Sequence, residues 1–143
     1  MILFSPYIIA IMAGWIVAQG AKYIIIASKK RRFDHIRQLY LSGNMPSAHS
    51  ATVIALVTVI GLKDGVDTGL FGLAALLAGV VMYDAVMVRR SAGEQGMAIQ
   101  QLIKEQKSKV GLPRAAKGHT PLEVSVGAIL GAGIGIVVFL ATK

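Results

Sequence analysis

The sequence predicts an all-α integral membrane bundle of four transmembrane helices, with a short interfacial helix beside it. Three observations carry that prediction. Apolar residues make up 55% of the 143 positions and charged residues only 15%, with a mean hydropathy of +0.64. Soluble domains carry about 25% charged residues. The apolar residues gather into four runs, and the net charge of +8 is concentrated in the loops between them. The length suits one domain, residues 1–143.

The first run extends from Ile2 to Ser28 and is broken only by Gln19 and Lys22. It lacks a basic leader and a cleavage site of the A-x-A kind, so it reads as an uncleaved helix rather than a signal peptide. The second run, Ala51 to Leu62, is short. It reaches the ~20 residues a span needs only if its helix starts near Pro46 and takes in His49. The third run, Val66 to Val88, is interrupted by Asp84, and the fourth is Val124 to Thr142. The expected helices are therefore about 3–28, 46–62, 66–89 and 121–142. In the fourth, Gly127, Gly131 and Gly135 repeat a G-x-x-x-G spacing, which suits close helix packing.

The loops set the expected orientation. "KKRRFDHIRQLYLSGN", residues 29–44, holds five Lys/Arg against one Asp; residues 89–120 hold seven against two Glu. The link "KDGVD" holds one Lys and two Asp. Positive-inside bias puts the two basic loops in the cytoplasm and both termini outside. Within the second basic loop, "EQGMAIQQLIKEQKSK" reads as a surface-lying amphipathic helix that Gly111–Pro113 should end. Charge placed this way fits headgroups, not nucleic acid. With no cysteine there is no disulfide and no thiolate chemistry.

Polar residues inside or against the apolar runs need a reason. They are Gln19 and Lys22; Ser47, His49 and Ser50; Asp84, Arg89 and Arg90; and His119, Thr120 and Glu123. By the expected topology all of them fall at the cytoplasmic side, from all four helices. Two histidines near helix N-termini, several cations and two carboxylates suit a phosphoryl group on a membrane-resident molecule. Such a histidine can act as nucleophile or general acid. Each residue also has a plainer use. "TPLE" is a capping box of Thr120, Pro121 and Glu123, yet Glu123 also stands four after His119. Ser47 can cap the second helix, Lys22 can snorkel, Arg89 and Arg90 can be topology signals, and Asp84 can be the counter-ion of Lys22. His35, beside Asp34, reads as solvated surface.

"AQGAK", "MPSAHSA", "YDAVMVRRSAG" and "GHTPLEVSVGAILG", in this order, resemble the divergent branch of the type 2 phosphatidic acid phosphatase superfamily, small membrane proteins related to acid phosphatases and vanadium haloperoxidases. The resemblance spans nearly the whole chain. It implies His119 as nucleophile forming a phosphohistidine, Glu123 as the group that orients it, and His49 as the acid that protonates the leaving oxygen. Lys22, Ser47, the amide of Ala48 and an arginine would hold the phosphate, with no metal and no cofactor. Ala48 and Glu123 stand where the superfamily has Gly and Asp. No Arg-Pro follows Lys22; Lys29 lies seven residues on. Arg114 lies five residues before His119, one closer than the superfamily spacing, so Arg90 or its neighbour Arg89 would substitute. The superfamily core has more than four helices, and a homodimer would complete it.

The sequence thus points to a phosphatase for a lipid phosphate: phosphatidylglycerophosphate, phosphatidic acid, or a polyprenyl phosphate or diphosphate. Its site would lie at headgroup depth on the cytoplasmic face of the cell membrane, with Asp84 among the binding groups. A non-catalytic lipid-binding or assembly module and a small anion transporter are the alternatives.

Overall fold

Three helices of this chain carry a small residue at every fourth position, and those stripes build the bundle. The structure is a computed structural model and describes residues 5–30, 45–113, 115 and 118–143. Most of the first basic loop, with His35, and also Arg114 lie outside the described residues. The elements are α1 (Pro6–Lys30), α2 (Ala48–Lys63), α3 (Gly69–Tyr83), a π turn (Asp84–Val88), α4 (Arg89–Glu105) and α5 (Pro121–Ala141). No strand occurs among the described residues.

α2 is the centre, with α1, α3 and α5 all packed on it. Its stripe is Ser47, Ala51, Ala55 and Val59, every member buried. α5 lays Gly127, Gly131 and Gly135 directly on it. A Cβ at Gly127 would stand 2.5 Å from the Ser47 carbonyl oxygen, and one at Gly135 would stand 2.6 Å from Thr58 Cβ. α1 brings Ala10, Gly14 and Ala18 against the same stripe, where a Cβ at Gly14 would meet the Ala51 carbonyl and Ala55, and also touches α5. Removing Cβ atoms lets backbones approach where lipid supplies no hydrophobic push between helices. The expected G-x-x-x-G packing face is thus the α2–α5 contact.

Among the described residues, three helical stretches are long and apolar enough to cross a membrane: Pro6–Ser28, Gly69–Glu105 and Pro121–Ala141. Large apolar side chains cover their outer faces, among them Trp15, Ile24, Leu73, Leu76 and Val137. α2 has 16 residues. That is about 24 Å at 1.5 Å per residue, short of the ~30 Å hydrocarbon core. Pro46 stays outside it, because Ser47 takes the cap position.

Further boundaries also differ from the sequence reading. α3 starts at Gly69, capped by Thr68, rather than at Val66; Gly65, at φ 99°, makes the turn. The third span and the amphipathic helix are not separate. Helical structure continues unbroken from Gly69 to Glu105. The sequence offers no breaker there, since Gly93 and Gly96 weaken a helix without ending it. The end comes at Glu105, before Gly111–Pro113, and the chain then folds back so that Gln100 Nε2 donates to the Pro113 carbonyl at 2.6 Å.

Candidate active site

The three stripes end in polar residues, and all three ends meet. Continuing the α1 stripe by one step gives Lys22, the α2 stripe begins at Ser47, and the α5 stripe, stepped back from Gly127, gives Glu123. The same spacing that packs the helices therefore stacks an ammonium, a hydroxyl and a carboxylate at one end of the bundle. The Ser47 N–H donates to the Glu123 carbonyl at 3.1 Å and pins α2 against α5 there.

Lys22 is only 4% exposed and has no hydrogen bond or ion pair among the described residues; Glu123 is a carboxylate within its electrostatic reach. Its stem is buried while its ammonium keeps contact with the surface, which leaves donors available for an anion. Asp84 is not its counter-ion. Asp84 instead accepts from Arg89 Nε at 2.6 Å.

His119 is 5% exposed, just ahead of α5. Its Nδ1 lies 3.2 Å from Glu123 Oε2. A carboxylate only accepts, so the proton of the neutral ring sits on Nδ1 and Nε2 is left with its lone pair. The same Oε2 accepts the Thr120 N–H at 3.0 Å, and Thr120 Oγ1 accepts the Glu123 N–H at 3.3 Å. The capping box and the histidine contact are one arrangement, not two alternatives. Burial pushes the His119 pKa below its ordinary value; the hydrogen bond and charge of Glu123 oppose this, and the charges of Lys22 and Arg89 add to it.

His49 is the second residue of α2 and is exposed. Its imidazole lies within electrostatic reach of Arg89, His119, Lys22 and Asp84. Five of the expected groups are therefore neighbours, drawn from α1, α2, the π turn with α4, and the lead-in to α5. Ser47 and Ala48 behave differently. Both are buried; Ser47 Oγ accepts from the Ser50 hydroxyl at 2.9 Å and from the Ser50 N–H at 3.4 Å. Ser47 is the cap the sequence allowed, with no exposed surface of its own. Arg90 turns to Glu94, 3.1 Å away and 61% exposed. Arg90 lines a cleft of about 260 Å³ with Gly93, Glu94, Met97, Gly118, His119 and Thr120. Among the described residues no group of three or more His, Asp or Glu is arranged to hold a metal.

Two features were not foreseen. The first is the π turn. Its wider winding sends the Arg89 N–H to the Asp84 carbonyl, and the Ala85 carbonyl accepts the His119 N–H at 3.0 Å. The second is Gly118, where a Cβ would stand 2.5 Å from Arg90 Cα and N, so only glycine lets the segment leading to His119 lie on the long helix. "GH" before "TPLE" was the available sign of it; nothing in the composition of "DAVMV" marks a π turn.

The profile of the divergent PAP2 family matches residues 4–134. The chain belongs to the divergent PAP2 family. Another protein similar to it is the uncharacterized membrane protein YuiD of Bacillus subtilis (strain 168), 36% identical, with 84% of this chain and 85% of that protein covered. No solved structure matches the chain. As a member of the divergent PAP2 family with a relative named as a membrane protein, and with three helices of membrane-crossing length, the chain is a membrane protein.

Proposed function

We propose that this protein is a membrane phosphatase that hydrolyses a lipid phosphate through a phosphohistidine. The single observation that carries the reading is the His119–Glu123 pair in electrostatic reach of Lys22, a largely buried lysine whose ammonium has no hydrogen bond or ion pair among the described residues, with His49 also in reach. His119 Nε2 attacks the phosphorus as the ester oxygen departs. Glu123 holds the ring by Nδ1 and stabilises the charge that grows on it. His49 gives the departing oxygen its proton, and, once deprotonated, draws a proton from the water that cleaves the phosphohistidine. Water and the phosphoester balance to free alcohol and inorganic phosphate. Lys22 and Arg89 stabilise the equatorial oxygens. Ala48 and His49 supply N–H groups at the α2 N-terminus, which favours an anion. Ser47 acts by capping that N-terminus.

Apolar outer faces and a polar end suit a substrate whose tails stay in the bilayer. The basic loops support a cytoplasmic site, four spans and termini outside. Phosphatidylglycerophosphate, phosphatidic acid and polyprenyl phosphates or diphosphates are the candidates, and the cytoplasmic orientation favours the first. The test is phosphate release from each class by purified protein in detergent. Release from at least one is expected, with His49→Ala slower by about 10²–10⁴-fold. No release from any class would end the enzyme reading.

A further inference from the structure

The two adjacent arginines of "VRR" are not equivalent, and the backbone explains why. In an α-helix, residues five apart point about 140° away from each other. Asp84 and Arg89 are five apart, yet Arg89 Nε meets Asp84 Oδ2 at 2.6 Å. The π turn over Asp84–Val88, whose hydrogen bonds join residues five apart, brings them together. The pair exists because the helix is π-wound at this point. The same turn receives the His119 N–H on the Ala85 carbonyl. One local change of winding thus anchors the backbone of the histidine and holds the arginine within its electrostatic reach.

The contact with Asp84 also decides which edge of the guanidinium is free. Nε–H points to the carboxylate, and no other bond holds the Nη groups among the described residues. A guanidinium fixed by Nε presents its Nη edge for two parallel bonds to a phosphate. Arg89 lies in electrostatic reach of both His49 and His119. Arg90 instead donates from its own Nε to Glu94, with its side chain 58% exposed. Its Cα supports Gly118.

We infer that Asp84 is a positioning residue, which acts through the π turn to aim Arg89 at the phosphoryl group, and that Arg89, not Arg90, is the arginine that binds it. This rests on the phosphatase reading for the identity of the ligand, but it is tested by binding alone. Orthovanadate, a phosphate mimic, is titrated calorimetrically into the full chain in detergent. Arg89→Ala and Asp84→Ala should each weaken binding by about 10–100-fold, the range of a charge-assisted bond. Arg90→Ala should stay within about twofold of the wild type. The double variant Asp84→Ala/Arg89→Ala should bind as Arg89→Ala does, because Asp84 has nothing left to aim. A merely structural Asp84 would add its own loss to that of Arg89→Ala. Asp84→Asn, which keeps a carbonyl oxygen for Nε–H, should recover part of the affinity.

The proposal is overturned if Asp84→Ala binds like the wild type, if the double variant is additive, or if Arg90→Ala loses as much as Arg89→Ala. It is overturned too if the wild type binds no vanadate. Vanadate binding with this pattern, but no phosphate release from any lipid, would instead leave the arginine assignment standing and sink the phosphatase.

Discussion

The two ends of the bundle are built from similar polar residues and use them in opposite ways. At the end where α1 starts and α2 stops, Tyr7 donates to Asp64, with its hydroxyl 2.8 Å and 2.7 Å from the two carboxylate oxygens. Thr68 caps α3. The groups there satisfy each other, and the result is a tie between helices. At the other end Lys22 is buried without a hydrogen bond among the described residues, and His119 keeps one ring nitrogen clear of Glu123. A lysine whose stem is buried and whose ammonium meets no protein partner is partly desolvated, and that has a cost. A fold retains such a cost where a ligand relieves it. The lesson is that charge placement at a membrane boundary identifies a site only together with an inventory of partners.

That contrast can be broken at either end. His119→Ala should have the largest effect, a loss of about 10³-fold or more in phosphate release, since nothing replaces a nucleophile. Lys22→Met, close in length and neutral, should come next. It should raise KM and weaken vanadate binding by about 10–100-fold without loosening the bundle, because it removes a desolvated charge. Thermal unfolding in detergent then checks that stability is equal to or above that of the wild type.

The pH dependence is of intermediate size and has a definite sign. His119 is held below its ordinary value of about 6.5, so it is neutral at pH 7 and ready to attack. The limb set by His119, a fall in phosphate release, should appear as pH drops below that value; deprotonation of the acid His49 sets the opposite limb. The charged form is disfavoured in the folded state, so folded stability should also decline through the same acidic range. Glu123 favours the charged ring, so Glu123→Gln should slow the reaction and move the acid limb to lower pH still. A limb that moves upward would contradict the assignment. The smallest effect belongs to the satisfied end: Tyr7→Phe should leave turnover within about twofold, because its partner Asp64 is solvated and distant from the histidines.

Much of this was legible in the sequence, for physical reasons that differ by element. The apolar runs gave three long helices and the glycine stripe because hydropathy and a four-residue spacing are local properties. The capping box and His119–Glu123 were legible for the same reason, as both are contacts within one turn. What escaped were winding and direction. Nothing local distinguishes an α from a π turn at Asp84–Val88, so the boundary at residue 89 was misplaced and the choice for Asp84 between counter-ion of Lys22 and binding group stayed open, with Arg89 as its partner not among the options. The choice between Arg89 and Arg90 depends on that winding and could not precede it. Burial of Ser47 needs the α2–α5 contact, which is a property of two helices together.

The central claim is that His119 is the nucleophile of a phosphoryl transfer. Its most direct test is to mix the protein with a lipid phosphate labelled at the phosphorus, quench within one turnover in alkali, where phosphohistidine survives, and locate the label by peptide mass. The account predicts label on His119, absent from His119→Ala. Turnover with no label on His119, or label on another residue, would contradict it.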